Sequence, residues 1–103
     1  MFDGFDDVYD QSARLAILRC LAEQPDYRLT DSMIDDLLVT RYAINRGRGY
    51  VRTQIAWLEQ SAGAVQNSPG GTVIICQLTP AGADHVLRRH ILPGVKRPGA
   101  GRF

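Results

Sequence analysis

The second part of the sequence has almost no acidic residues. Residues 37–103 contain only Glu59 and Asp84 beside eight arginines and Lys96, whereas residues 1–36 contain nine acidic and three basic residues. The formal net charge of +1 therefore hides a division along the chain. This asymmetry suggests a basic working face with an acidic face turned elsewhere. The alternative is that the two parts neutralise each other across the fold, and charge alone leaves both interpretations open.

Long apolar runs are absent as well. No run in the sequence approaches the roughly 18 residues that a membrane-spanning helix needs. The acidic first ten residues, MFDGFDDVYD, lack the apolar core of a secretory signal. Cys20 and Cys76 are the only cysteines and form no Cys-x-x-Cys pair, so two reduced, buried thiols are favoured over a disulfide. We expect a cytoplasmic protein that makes no membrane contact.

The residue groups that catalysis or metal binding requires are also missing. His85 and His90 are five positions apart and have no third ligand nearby, so a metal site is not favoured. Cys20 has no histidine partner that would activate it as a nucleophile. The GRG and PGG segments lack the Lys-Ser/Thr pair of a phosphate-binding loop. We expect no enzyme activity and no metal or other cofactor, and no small-molecule effector is evident from the sequence.

Hydrophobic periodicity predicts three helices in the first 60 residues. The first covers residues 7–24 and stops at Pro25, because proline cannot continue a helix. Thr30 offers a capping hydroxyl to a second helix that reaches residue 40 or 41, and the third covers residues 48–60. A glycine-containing turn joins these last two helices. The side chains expected to be buried by the second helix and the connector before it are Tyr27, Leu29, Met33, Ile34, Leu37 and Leu38.

A β-hairpin and a last helix are predicted to follow. A short strand over residues 64–67 leads into a turn at residues 68–71, and a β-branched run over residues 72–78 forms its partner. Thr79 and the proline after it are typical of a helix start. The last helix is expected to cover residues 80–90, with Ala83, Val86 and Leu87 facing inward.

The predicted order of elements is helix, helix, helix, hairpin and helix. This order is typical of the winged helix-turn-helix, an α+β and mostly helical fold with three helices, a β-hairpin wing and a C-terminal helix. We expect one such domain over residues 1–92. Residues 93–103 form a basic, Pro/Gly-rich tail that we expect to be extended and partly mobile.

Several segments of the chain resemble a known family. They are ARLAILRCLAEQPDYRLTDSMIDDLL, VRTQIAWLEQ and LTPAG, in that order, followed by PGVKRP at residues 93–98. Together they resemble small winged-helix DNA-binding proteins of the ArsR-like type, in particular the short versions encoded in Mu-like prophages. The resemblance implies transcriptional regulation by a dimer. Residues 41–60 contain no closely spaced cysteine pair, so the metal sensing of some members is not implied here.

Arginines concentrate at the start of the third predicted helix. Arg41, Arg46, Arg48 and Arg52 lie within twelve positions, residues 41–52, that contain no acid. Arginine side chains at a helix start can reach phosphates and can fork onto guanine, so DNA contact is favoured over a merely solvated turn. This interpretation requires the guanidinium groups to face outward, and it fails if they fold back onto the aspartates near the start of the chain or are buried in a subunit contact. The residues predicted to contact DNA are Arg46, Arg48, Tyr50, Arg52, Thr53, Gln54, Gly70, Gly71, Lys96 and Arg97.

These candidates differ in how they would act. Tyr50, Thr53 and Gln54 are expected on the exposed face of the helix, where they could bond bases or phosphates. Gly70 and Gly71 belong to an uncharged wing tip, which could offer only backbone N–H groups to phosphate. Lys96 and Arg97 could follow the phosphate backbone, remain a solubilising tail, or pair with the acidic first part of a neighbouring subunit.

Two functions fit this pattern. The first is a double-stranded DNA-binding protein, a phage or prophage transcriptional regulator that uses residues 46–60 as a recognition helix in the major groove. The alternative is a winged-helix protein–protein interaction module without DNA binding, which the weak net charge favours. A homodimer is expected in either case, formed through the first and last helices, because one such domain reads only half a DNA site.

Overall fold

The protein is an α+β structure in which about half of the residues are helical. The computed structural model describes residues 3–99, and the side chains of residues 7–99. Four helices and one three-stranded antiparallel sheet form this part of the chain. In chain order the elements are α1 (Asp3–Ala22), β1 (Arg28–Thr30), α2 (Asp31–Tyr42), α3 (Arg48–Gln60), β2 (Val65–Gly70), β3 (Val73–Leu78) and α4 (Pro80–Val86).

Helix α1 is the centre of the packing. It contacts α2, α3, α4 and β3, so its middle is buried on nearly every side. A helix surrounded in this way must be apolar all round, and residues 13–21 satisfy this requirement at every position except Arg14 and Arg19. Ile17, Leu18 and Leu21 are fully buried there. The predicted helix is therefore confirmed, although it begins earlier than residue 7.

Helices α2 and α3 follow the predicted bounds closely. The Thr30 hydroxyl accepts a hydrogen bond from the Met33 N–H at 3.2 Å, which confirms the predicted N-cap of α2. Ile34 and Leu38 are fully buried, whereas Met33 is half exposed, so its predicted burial is wrong. Residues 43–47 make the turn to α3, with Ala43 in the left-handed conformation.

The sheet has one strand more than the sequence predicts. Residues 28–30 form the edge strand β1, which pairs antiparallel with the central strand β3 and places Leu29 opposite Cys76. Leu29 is buried as expected, but Tyr27 just before this strand is half exposed rather than buried. The strand was missed because three residues carry no alternation pattern and are extended only through their non-local partner.

The hairpin turn lies later than predicted. Strand β2 continues through Ser68 and Pro69 to Gly70, which pairs with Val73, so only Gly71 and Thr72 form the turn. Proline is tolerated there because β2 is the other edge of the sheet and a backbone N–H is not needed on its open side. Gly71 adopts a φ of +72°, which favours glycine at this tight corner.

The last helix is shorter than predicted, and the segment after it packs against the domain. Helix α4 ends at Val86, and Leu87 is 58% exposed, so its predicted inward position is wrong. The predicted cap is confirmed, since the Thr79 hydroxyl accepts a hydrogen bond from the Gly82 N–H. Leu92 and Val95 are buried in the core.

Backbone contacts fasten the segment from Leu92 to Lys96, where we expected an extended tail. The imidazole of His85 is fully buried; its Nδ1 accepts from the Leu92 N–H, and its Nε2 donates to the Lys96 carbonyl. The Lys96 N–H in turn donates to the Gln11 carbonyl of α1. A Cβ on Gly94 would overlap the Trp57 ring. The end of the predicted tail, residues 100–103, lies outside the described residues.

No helix in the described chain is long and apolar enough to cross a membrane.

Candidate nucleic-acid interface

Arg48 and Arg52 meet at one place on the surface, between the start of α3 and the β2–β3 turn. Their Nε atoms lie 3.2 and 2.5 Å from the same carboxylate oxygen of Asp31. Their Nη2 atoms donate to the same backbone carbonyl, that of Thr72, at 2.7 and 2.8 Å. The two residues are one helical turn apart, so both side chains leave α3 on the same face. We name these four residues the arginine cluster: Asp31, Arg48, Arg52 and Thr72.

The carboxylate of this cluster is completely buried. The Asp31 side chain is 0% exposed, and its Oδ1 accepts hydrogen bonds from the backbone N–H groups of Ser32 and Ile74. Burial alone raises the pKa of Asp31, but the hydrogen bonds from Arg52 and Ile74 and the charges of both arginines outweigh it, so the pKa lies below its ordinary value. Asp31 is therefore ionised and ties α2, α3 and the hairpin together.

The two arginines remain partly open to solvent in spite of these bonds. Their side chains are 43% and 41% exposed for Arg48 and Arg52 respectively. The prediction that they face outward is thus met in part: one edge of each guanidinium faces Asp31 and Thr72, and a large fraction of each side chain stays accessible. Thr72 is itself exposed at the turn.

Arg46, two residues before Arg48 in the sequence, lies in a different environment from the arginine cluster. It is exposed, and its guanidinium carbon sits 4.2 Å from the centre of the Tyr9 ring and 5.4 Å from that of Tyr50. The Tyr50 hydroxyl donates to an Asp10 carboxylate oxygen at 2.5 Å. Burial raises the pKa of Tyr50, and the adjacent Asp10 carboxylate raises it further. Tyr50 therefore joins α3 to α1, and its hydroxyl is occupied rather than turned to a ligand.

Gln54 does not lie on the exposed face, so that prediction is wrong. It is 3% exposed, and its Oε1 accepts a hydrogen bond from Arg14 at 2.8 Å. Arg14 is itself buried; its Nη1 donates to the Gly94 carbonyl, and its guanidinium lies 3.8 Å from the centre of the Trp57 ring. Gln54 was misassigned because its acceptor role depends on an arginine forty positions away. Thr53, by contrast, is exposed as predicted.

The hairpin is fastened to α3 at a second point. The Asn67 N–H donates to a Glu59 carboxylate oxygen at 3.0 Å, and its side-chain amide donates to the Ile55 carbonyl. Together with the bonds to the Thr72 carbonyl, these contacts hold β2 along α3. Gly70 lies in β2 and Gly71 in the turn, next to the cluster in sequence, and Gly71 is exposed.

The remaining predicted residues lie on the C-terminal segment. Lys96 and Arg97 are both exposed. Lys96 lines an apolar groove of about 360 Å³ beside α1, together with Val8, Tyr9, Leu15 and Ile44. Val8 on its rim is 63% exposed. These contacts place Lys96 at the groove and not in the arginine cluster.

Asp31 and Thr72 are the residues of the arginine cluster that the sequence did not single out. Asp31 directly follows the N-cap of α2, and from the sequence it is only an acidic residue that suits a helix start. Its partners lie 17, 21 and 43 positions away, and no local pattern indicates them. Thr72 contributes only a backbone carbonyl, which every residue type has, so the sequence cannot indicate this contact.

Both cysteines lie in the core of the protein. Cys20 and Cys76 are buried, as predicted, and burial raises their pKa values to about 11 and about 12. Among residues 3–99, no three or more His, Cys, Asp or Glu side chains are grouped so that they could hold a metal ion.

Comparisons with protein-family models, with curated protein sequences and with solved structures find no match to this chain. The resemblance to ArsR-like winged-helix proteins therefore stays a prediction. The function has to be inferred from the geometry of the residues themselves.

Proposed function

We propose that this protein is a winged helix-turn-helix that binds double-stranded DNA, with α3 as the recognition helix and the β2–β3 hairpin as the wing. Helices α2 and α3 are joined by a short turn, and the hairpin that follows α3 packs along it. This order and contact pattern suit a fold whose second motif helix enters the major groove.

The observation that carries the proposal is the charge at the start of α3. Arg46, Arg48 and Arg52 are all accessible there, and the first turn of the helix contains no acid. Two of these arginines share a single carboxylate, so one positive charge of the pair remains uncompensated by Asp31. Arginines beside a helix start and a hairpin turn are suited to phosphates on either side of a groove.

Regulation of prophage genes is the role we propose for this binding. A homodimer would place two recognition helices on successive half-sites, as the small size of one domain requires for tight, specific binding. The groove beside α1, with exposed Val8 on its rim, lies on one of the two helices expected to form the interface.

Selection from a random duplex pool, followed by gel shifts at several salt concentrations, tests this function. We expect enrichment of a two-fold related sequence and an affinity that falls as salt rises. Arg46→Ala should weaken binding, while Arg28→Ala, which removes the same charge from β1, serves as the matched control. Absence of duplex binding even at low salt would reject the proposal.

One observation favours the alternative of a protein-interaction module. The groove beside α1 is apolar and open, and a peptide side chain from another protein could fill it. Under this alternative the arginine cluster only stabilises the fold. Substitution of Val8 by Asp would then abolish complex formation with a protein partner, and neither this variant nor the wild type would bind duplex DNA.

A further inference from the structure

We propose that Arg48 and Arg52 act as a pair that binds one backbone phosphate of DNA, and that Asp31 is the positioning residue that holds the pair in place. This inference rests on the proposed DNA-binding function. It assigns the two arginines a shared ligand and gives the buried carboxylate behind them a role in binding.

The first argument is the convergence of the two guanidinium groups. Each uses its Nε and Nη2 atoms for the same two acceptors, Asp31 Oδ2 and the Thr72 carbonyl. Two groups that share both acceptors must lie side by side. These bonds use the Nε and Nη2 atoms and not Nη1, and the two side chains stay 43% and 41% exposed. A guanidinium has five N–H donors, so each arginine keeps several for a ligand.

The second argument is charge. Two positive groups held side by side repel each other, and one buried carboxylate offsets only one of them. An anion bound on the outer side would compensate the second charge. A phosphodiester carries one negative charge and offers two unesterified oxygens, one for each arginine. The pair therefore matches a single phosphate in both charge and donor arrangement.

The third argument is access. Gly47 and Gly49 precede and open α3, and a Cβ built on either residue would meet no other atom within 4 Å. The side chain of Asp31 is sealed behind the arginines, so a ligand meets the guanidinium groups and not the carboxylate. The exposed Thr72 turn borders the same place. A DNA strand that passes over the start of α3 and the β2–β3 turn could therefore reach the pair.

Asp31 acts through the arginines and does not face the ligand. It fixes the rotamers of both side chains before binding, which lowers the entropy lost when the phosphate is bound. The positioning role and net charge alone predict opposite effects of an Asp31 substitution on the affinity for DNA. Asp31→Asn removes a negative charge and would strengthen binding to DNA if only net charge mattered, whereas loss of positioning weakens it.

Fluorescence anisotropy of a labelled duplex, titrated with the full chain at several salt concentrations, tests the shared phosphate. We expect Arg48→Ala and Arg52→Ala each to weaken binding roughly tenfold. Neither single change should alter the salt slope much, because the remaining arginine still contacts the phosphate. The double variant should lower the slope by about one. Slopes that fall by about one in each single variant and by about two in the double would overturn the shared site.

Two further variants test positioning. Asp31→Asn should weaken binding several-fold, and tighter binding would overturn its role. The double variant Arg48→Lys with Arg52→Lys keeps both positive charges but loses the planar guanidinium groups with their several N–H donors. It should also weaken binding to DNA. Unchanged affinity would contradict the proposal. If circular dichroism shows that Asp31→Asn does not fold, the double lysine variant still tests the proposal. Arg28→Ala again controls for charge.

Inorganic phosphate separates failure of this inference from failure of the proposed function. Nitrogen-15 spectra of the arginine Nε groups should show shifts of Arg48 and Arg52 when phosphate is added. Duplex binding that is insensitive to both arginines overturns the pair and leaves the DNA-binding function. Phosphate-dependent shifts without any duplex binding reject the DNA-binding function and support the pair as an anion site. If phosphate causes no shifts and the chain binds no duplex, both the anion-binding pair and the DNA-binding function are rejected.

Discussion

Arg14 and the pair of Arg48 and Arg52 show two uses of the same side chain in one small protein. Arg14 is 7% exposed, and its acceptors are the neutral oxygens of Gln54 and Gly94, with the Trp57 ring stacked on it. The pair shares one buried carboxylate and stays about two-fifths exposed. Arg14 joins core elements, and there neutral oxygen acceptors and an aromatic ring are sufficient partners for its buried guanidinium. A buried carboxylate instead orients arginines that keep donors for the outside.

The difference shows that exposure and spare donors, rather than residue type, separate a structural arginine from a binding candidate. Arg14 joins α1 to α3 and to the C-terminal segment, so its removal should act on folding. Arg48 and Arg52 join α3 to the hairpin at the surface, so their removal should act mainly on binding.

The largest effect on stability is expected at Arg14. Arg14→Met removes the bonds to Gln54 and Gly94 and leaves two oxygens without their donor in a closed environment. We expect the free energy of unfolding to fall by about 3 kcal/mol, measured by urea denaturation. Arg28→Ala on the exposed edge strand should stay within about 0.5 kcal/mol of the wild type. If Arg14→Met lowers the free energy of unfolding no more than Arg28→Ala does, the distinction between a structural arginine and an exposed one is wrong.

Asp31→Asn should have the next largest effect. The amide cannot attract both guanidinium groups, and its NH2 group faces them as a third donor. Because the arginines can regain water at their exposed sides, we expect a loss of only about 2 kcal/mol in the free energy of unfolding. Denaturation of Asp31→Asn beside Asp84→Asn, whose carboxylate pairs loosely with Arg89 at 3.9 Å, measures the difference. Equal losses would show that burial of the carboxylate carries no special weight.

The pH dependence sharpens the same point. The pKa of Asp31 is lower in the folded protein than its ordinary value of 3.8, so the folded state favours the ionised carboxylate. Its contribution to stability is therefore complete above about pH 5 and is lost as pH falls through the folded-state pKa. The gap in unfolding free energy between wild type and Asp31→Asn should be constant near neutrality and close in acid. A gap that widens on acidification would contradict this assignment.

Apart from the control at Arg28, the smallest effect on stability is expected at Arg52. Arg52→Ala leaves Arg48 bound to Asp31 and Thr72, and the lost side chain is partly solvated. We expect a change below about 1 kcal/mol in the free energy of unfolding. The thermal midpoint of this variant, compared with that of Arg14→Met, provides the measurement. A fall as large as that of Arg14→Met would make Arg52 a structural residue.

Locally determined features could be predicted from the sequence. The caps at Thr30 and Thr79 and the bounds of α3 depend on residues within one helical turn, and the structure confirms them. Features set by distant partners could not. Strand β1 exists only because Leu29 pairs with Cys76, and Gln54 is buried because Arg14 reaches it from α1.

The candidate site divides in the same way. The concentration of arginines at residues 46–52 is plain in the sequence, and so is their position at a helix start. That Arg48 and Arg52 share Asp31 and the Thr72 carbonyl follows only from the fold, because it brings α2, α3 and the hairpin turn to one point.

Backbone amide chemical shifts, followed as a DNA duplex is added to the full chain, test the central claim most directly. If α3 is the recognition helix, the largest shifts occur at residues 46–53 and at the turn around Gly71 and Thr72, and they diminish at high salt. Shifts confined to the groove beside α1, or no shifts at low salt, would contradict the claim that the start of α3 binds DNA.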